Sequence, residues 1–202
     1  MRVLTYDIEI VEAILNGRNA EDFEDENPGI VYVPSFSDTD KMHVACVCVV
    51  MSGERMPRIY DAMNLKELQD DFNTADLIVS WNGNDFDSRV LRANGITIPQ
   101  GKSFDLMAEV KRAAGFRFKL DSMSQKNLGY GKTDNGALAP IKWQQGRRAE
   151  VINYCLNDVL MTYELYALAK KQGYLFTPKG GKVKLFNQST AWYDRVDLQP
   201  QP

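Results

Sequence analysis

A single histidine, His43, is present among the 202 residues. No His-x-x-x-His zinc motif and no mechanism that needs a pair of imidazoles can be built from it. Cysteine is nearly as scarce. Cys46, Cys48 and Cys155 make an odd set without paired-site spacing, which argues against a disulfide framework and for buried free thiols. No run approaches the ~20 consecutive apolar residues of a membrane span. The N-terminus, Met1-Arg2-Val3-Leu4-Thr5-Tyr6-Asp7, lacks a signal-peptide core and cleavage site, so a cytoplasmic protein with no membrane partner is expected. The remaining composition, 44% hydrophobic and 25% charged, is that of a globular domain long enough to bury a core.

Charge is short of one sign in particular places. Residues 1–40 hold ten Asp/Glu against two Arg and no Lys, although the net charge is only −3. Residues 102–148 hold ten Lys/Arg against four acids, and 170–184 add five Lys and no acid. An acidic pole beside a basic stretch suits a protein that holds cations next to a phosphate backbone, and solvated surface charge has the same appearance.

Residues 2–8 alternate as a strand, 43–51 form a β-branched apolar run suited to a doubly buried strand, and 57–60 return as a third. Residues 30–33 form a short extra strand inside an acidic, turn-rich excursion over 11–42. Helical spacing predicts elements at 64–74, 86–93, 105–114 and 121–128, with a buried strand at 76–81. Residues 129–146 read as a long loop, and 147–171 as a long helix closing at Gly173. Three strands followed by helix–strand–helix alternation argue for an α/β domain with a mixed sheet and flanking helices.

Three acidic motifs stand out. Asp7 and Glu9 sit at i and i+2 near the end of the first strand, so both carboxylates share a face, an arrangement costly without a cation. Asp87 falls in the first turn of a helix, after the strand-to-turn sequence Trp81-Asn82-Gly83-Asn84-Asp85-Phe86, in which Asp85 is the expected cap. Tyr154 and Asp158 lie four apart on one face of the last helix, where a mid-helix Asp among apolar residues asks for a partner. Each motif alone is common and has a bland reading: a solvated strand end, a cap, a half-buried tyrosine.

Taken in order, the motifs Asp-x-Glu, Asn-x-x-x-Phe-Asp and Tyr-x-x-x-Asp resemble the DEDD superfamily of 3′→5′ exonucleases. With Tyr154 in place of a histidine, the likeness is to the tyrosine (DEDDy) branch, which includes the proofreading domains of family B DNA polymerases. Lys119-Leu120-Asp121-Ser122-Met123 and Leu128-Gly129 resemble the segment that precedes the third motif. The resemblance covers roughly residues 1–172 and implies a ribonuclease H-like fold. It makes 1–173 an exonuclease domain, with 174–202 as an extension holding a hairpin and a flexible end.

The resemblance further implies a hydrolase that shortens single-stranded DNA from its 3′ end to nucleoside 5′-monophosphates, using two Mg²⁺ or Mn²⁺ ions. Asp7, Glu9 and Asp158 would hold one ion, Asp7 and Asp87 the other, and Tyr154 would orient the nucleophile. A cationic track for the strand is expected from Lys111, Arg112, Arg117, Lys119, Lys126 and Lys132, with Trp143, Arg147 and Arg148 further along. Asn82 or Asn84 would touch the terminal nucleotide, whereas Trp81 and Phe86 read as core and Asp105 as a helix cap. RNA remains open as substrate, as does a silent nucleic-acid-binding subunit, or an arrangement in which the acids never meet. No polymerase-type region follows within the 202 residues, so a polymerase or another replication or repair partner is equally open.

Overall fold

The computed structural model describes residues 1–132 and 134–185. In chain order the strands are β1 (Val3–Ile10), β2 (Ala13–Ile14), β3 (Tyr32–Val33), β4 (Val44–Met51), β5 (Arg58–Tyr60), β6 (Leu77–Ser80), β7 (Ser103–Asp105), β8 (Tyr174–Phe176) and β9 (Lys182–Lys184). The helices are α1 (Ala20–Glu26), α2 (Glu67–Thr74), α3 (Asp87–Ala93), α4 (Leu106–Ala114), α5 (Leu120–Leu128), α6 (Ala139–Gln144) and α7 (Arg148–Gln172).

Five strands form the main sheet in the order β5-β4-β1-β6-β7. The half built from β1, β4 and β5 is an antiparallel meander, and β6 and β7 extend β1 in parallel. This is the expected mixed α/β sheet, and its fold is ribonuclease H-like. Both faces are covered, which explains the unbroken apolar run of β4. On one face Tyr6, Ile8, Val47 and Val49 pack with Leu68 and Phe72 of α2 and with Val90 and Leu91 of α3. On the other, Cys46 and Cys48 meet Val151, Cys155 and Val159 of α7, while Val3 and Val79 meet α4, α5 and α7. Among the described residues no helix is long and apolar enough to cross a membrane.

Three elements differ from expectation. The supposed loop at 129–146 contains a short 3-10 turn at Gly136–Leu138 and then α6, whose apolar pattern is broken by Pro140 in its first turn. Ser103–Asp105 is a strand, too short at three residues for alternation to register. The acidic excursion carries its own small core, where Ala13, Leu15 and Phe23 pack together beneath α1. Asn19 caps α1 by accepting from the Glu21 amide at 2.8 Å. At the other end of the chain, β8 and β9 form a hairpin. Residues 186–202, where a flexible end was expected, lie outside the described residues.

Candidate active site

Asp7 and Glu9 project from β1, the central strand, toward α7. Their cross-strand partners are Cys48 and Cys46, so two carboxylates and two thiols share that face. Cys155 on α7 seals the arrangement from below, with its thiol donating to the Asp7 carbonyl at 3.3 Å. Glu9 is only 9% exposed. Among the described residues, the three thiols are also the group of potential ligands whose donor atoms all lie within 4.8 Å of one another. No three of the acidic side chains bring their oxygens that close together among the described residues.

Asp87 reaches the same region from the first turn of α3 and is 7% exposed. The loop ahead of it is shaped by close approach. Asn82 adopts a left-handed φ of 65°, and a Cβ on Gly83 would lie 2.8 Å from the Tyr6 hydroxyl. Asp105 braces the loop by accepting from the amides of Asn82 (2.9 Å) and Asn84 (3.1 Å) while capping α4 through Ala108 (3.0 Å). It is thus the predicted cap and a loop anchor together. Asp85 does not cap α3. Its carboxylate pairs instead with Arg117, and α3 begins without a side-chain cap.

Tyr154 and Asp158, one turn apart on α7, complete the set. Lys132 donates to the Asp158 carboxylate and, at 2.6 Å, to the Tyr154 hydroxyl, with its ammonium also 4.8 Å from the centre of the tyrosine ring. The loop bearing Lys132 is tied down by Asp121, which accepts the Lys132 amide at 2.8 Å. Gly136 presses on the tyrosine from outside, where a Cβ would stand 2.8 Å from its hydroxyl.

The charges of Asp87 and Asp158 are felt at both Asp7 and Glu9. Burial raises the Asp7 pKa, and the charges of Asp158, Asp87 and Glu9 raise it further, against the pull of Lys132. Burial likewise lifts Glu9, with Cys46 and Asp158 adding to it. Asp87 is pushed up to about 7 by burial and by Asp105. Asp158 is raised by burial although Lys132 opposes the shift. Tyr154 rises through burial and the charge of Asp158, so its phenol stays protonated.

This set fits divalent cations. Four carboxylates supply hard oxygen donors, burial raises the pKa of each, with neighbouring acids adding to the rise at Asp7 and Glu9, and Asp158 Oδ1 is buried without a hydrogen-bond partner. The structure places the Lys132 ammonium against that same carboxylate.

A cleft opens on Asp7 and Asp158, though not on Glu9 or Asp87, and is lined also by Trp81, Asn82, Arg117, Lys119 and Lys132, among others. Of the expected substrate contacts, Asn82, Arg117 and Lys119 are therefore present there. Asn84 and Lys126 are not. The Asn84 side chain accepts from the Ser103 hydroxyl at 2.7 Å, and Lys126 is exposed on α5 away from the cleft lining. Trp81, expected in the core, is half-buried and reaches the cleft wall. Farther along, Arg147 is paired with Glu150 and Arg148 lies over Trp143, so these cations are engaged locally. Lys132 belonged by composition to a surface track, and no spacing rule connects it to Asp158, 26 residues on.

Comparison with known proteins places the chain. The family model described as the RNase_H superfamily matches residues 21–170, a span that includes Asp87, Tyr154 and Asp158 and begins after Glu9. A solved structure of the family B DNA polymerase from the hyperthermophilic archaeon Pyrobaculum calidifontis is similar in fold, with a TM-score of 0.56 and 20% sequence identity. The match covers 85% of this chain and 24% of the polymerase chain, so this chain spans about a quarter of that protein. No curated protein matches the sequence.

Proposed function

The chain belongs to the RNase_H superfamily, and from that premise we propose that it is a metal-dependent nuclease, specifically a 3′→5′ exonuclease on single-stranded DNA. The observation that carries this reading is the convergence of Asp87 of α3 and Asp158 of α7 on Asp7 and Glu9 of β1, close enough that all three charges act on Asp7. Asp7, Glu9 and Asp158 would hold one Mg²⁺ or Mn²⁺, and Asp7 with Asp87 a second. Such a pair, when bound, supplies Lewis-acid stabilisation of the attacking and leaving oxygens and a lowered pKa for water.

The chain's own residues do the rest. Tyr154, kept protonated, offers a hydroxyl that positions the attacking water. Lys132 holds that hydroxyl at 2.6 Å and balances the Asp158 charge. Asn82, on a loop braced by Asp105 and with its side-chain oxygen accepting from Arg117 at 2.9 Å, stands at the cleft for the terminal nucleotide, and Lys119 supplies charge to the phosphates, with Arg117 shared between them and Asp85. The braced loop keeps these groups in place before substrate arrives.

The test is a 5′-labelled single-stranded oligonucleotide incubated with and without Mg²⁺ or Mn²⁺. A ladder shortening from the 3′ end is expected, dependent on the cation and reduced by on the order of 10²–10³ in Asp7→Asn. An RNA strand run in parallel decides the sugar, because the same acids serve either polymer. Binding without cleavage by the wild type would instead identify a silent accessory subunit, and cleavage undiminished in Asp7→Asn would remove the four-acid site.

A further inference from the structure

Beyond the acidic cleft, the 170–184 stretch holds five lysines and no acid, and the mechanism uses none of them. The fold gives them a definite arrangement. In hairpin β8–β9, Leu175 and Val183 turn inward to the core, so the opposite face carries Tyr174, Phe176, Lys182 and Lys184. Tyr174 pairs with Lys184 and Phe176 with Lys182 across the two strands. The two rings are edge-to-face with centroids 5.3 Å apart, and Lys182 lies 4.3 Å from the centre of the Tyr174 ring. Among the described residues no carboxylate pairs with Lys179, Lys182 or Lys184.

The hairpin forms one wall of a groove of about 480 Å³. The other wall is the connection between α4 and α5, released from α4 by Gly115 at φ 78°. Phe116 there is 72% exposed and belongs to none of the packed apolar clusters. Arg117 and Phe118 line this groove and also the cleft that contains Asp7 and Asp158, so the two adjoin. No acidic side chain lines the groove.

We propose that this groove, with the outer face of hairpin β8–β9, is a second binding surface for single-stranded nucleic acid. It would hold the nucleotides upstream of the 3′ end seated at the acids. Lys179, Lys182 and Lys184 meet successive phosphates, and Phe116 offers a stacking face to an unpaired base. A hairpin whose lysines merely cover its own rings would explain the cross-strand pairs. It would not account for an exposed aromatic ring and two lysines sharing one groove free of acidic side chains, nor for the lining shared with the acidic cleft. The identity of the strand rests on the exonuclease reading; the chemistry of the surface does not.

The test is fluorescence anisotropy of a labelled dodecanucleotide in EDTA, so that binding is read without cleavage, over a series of KCl concentrations. Lys182→Gln/Lys184→Gln is expected to bind about tenfold more weakly, with the salt slope lowered by about 1.4 from two lost single-strand phosphate contacts. Phe116→Ala is expected to weaken binding several-fold with the slope unchanged, since stacking releases no counterions. Lys182→Arg/Lys184→Arg should restore the slope, and thermal melts check that each variant is folded. Wild-type affinity and slope in the Gln variant would overturn the proposal. So would a blunt duplex that binds as tightly as the single strand and loses as much.

DNA and RNA dodecanucleotides separate the two sources of the strand. Equal losses mean that phosphate and base are what is recognised, and a loss on one alone assigns the surface to that polymer. Wild-type binding without cleavage in Mg²⁺ would remove the exonuclease and leave the surface standing. Cleavage with hairpin variants that bind normally would do the reverse.

Discussion

Lys132 donates to both Asp158 and Tyr154, and its side chain is 29% exposed while that of Asp158 is 5%. Burial works against the charged ammonium, yet Asp158 and Tyr154 outweigh it and raise the Lys132 pKa. Removing this cation leaves a buried carboxylate without compensation. Lys132→Gln should therefore cost up to about 3–5 kcal/mol at a pH where Asp158 is ionised. Added Mg²⁺ or Mn²⁺ should then raise the melting temperature of the variant more than that of the wild type, since the ion supplies the missing charge. Equal shifts in the two proteins would separate Lys132 from the cation site.

The same residue shows where reading by sequence stops. Asp7 and Glu9 announce themselves by spacing alone, because a strand puts i and i+2 on one face. Lys132 follows a tyrosine–glycine pair in a stretch with no periodicity, and only the anchoring of its amide by Asp121 aims it at α7. Asp85 is the reverse case. Its position looked right for a cap, but a long-range partner, Arg117, took the carboxylate.

At the scale of elements, the 3-10 turn at Gly136–Leu138 is packed against α7 with no room for a side chain beside the Tyr154 hydroxyl. Gly136→Ala should displace the phenol by a fraction of an ångström. A fall in kcat of up to about 10²-fold is expected, with KM and the melting temperature nearly kept. Loss of stability equal to the loss of rate would mean that the glycine serves packing instead.

The seating of α3 has its own signature. Asp87 is held by burial at about 7 instead of its ordinary 3.8, so the folded protein keeps a proton that the unfolded chain gives up at lower pH. Its contribution to stability is therefore full below about pH 3.8 and is lost as the pH climbs toward 7. Thermal melts in EDTA should show a falling melting temperature across that window. Asp87→Asn should flatten the fall, and a profile unchanged by the substitution would show that Asp87 is ordinary in the folded state.

At the scale of the whole molecule, two packing units of unequal size are visible. The large one is the sheet with its helices. The small one joins Ala13, Leu15 and Phe23, with Ile141 of α6 laid against it. Deleting the Phe23 ring, 2% exposed, removes most of the apolar surface of the small unit. Phe23→Ala should free the amides of 11–42 to hydrogen exchange while β1, β4 and β6 stay protected. Simultaneous loss of protection everywhere would mean that the excursion folds as one with the sheet.

The sequence by itself determined the strands β1, β4 and β6, the helix α7, the α/β class and the positions of the acidic motifs. Each rests on local periodicity or on a motif a few residues long, and backbone geometry converts such patterns directly into faces and caps. Tertiary structure alone decided that β4 and β6 flank β1, and that α6 fills a supposed loop. It also decided that Asp105 anchors the 82–84 turn, that Lys132 meets Asp158, and that Asn84 and Lys126 stay outside the cleft. These outcomes depend on which distant surfaces bury one another. A side chain's partner across 20 to 150 residues is chosen by packing of the whole sheet, and no local pattern encodes that choice.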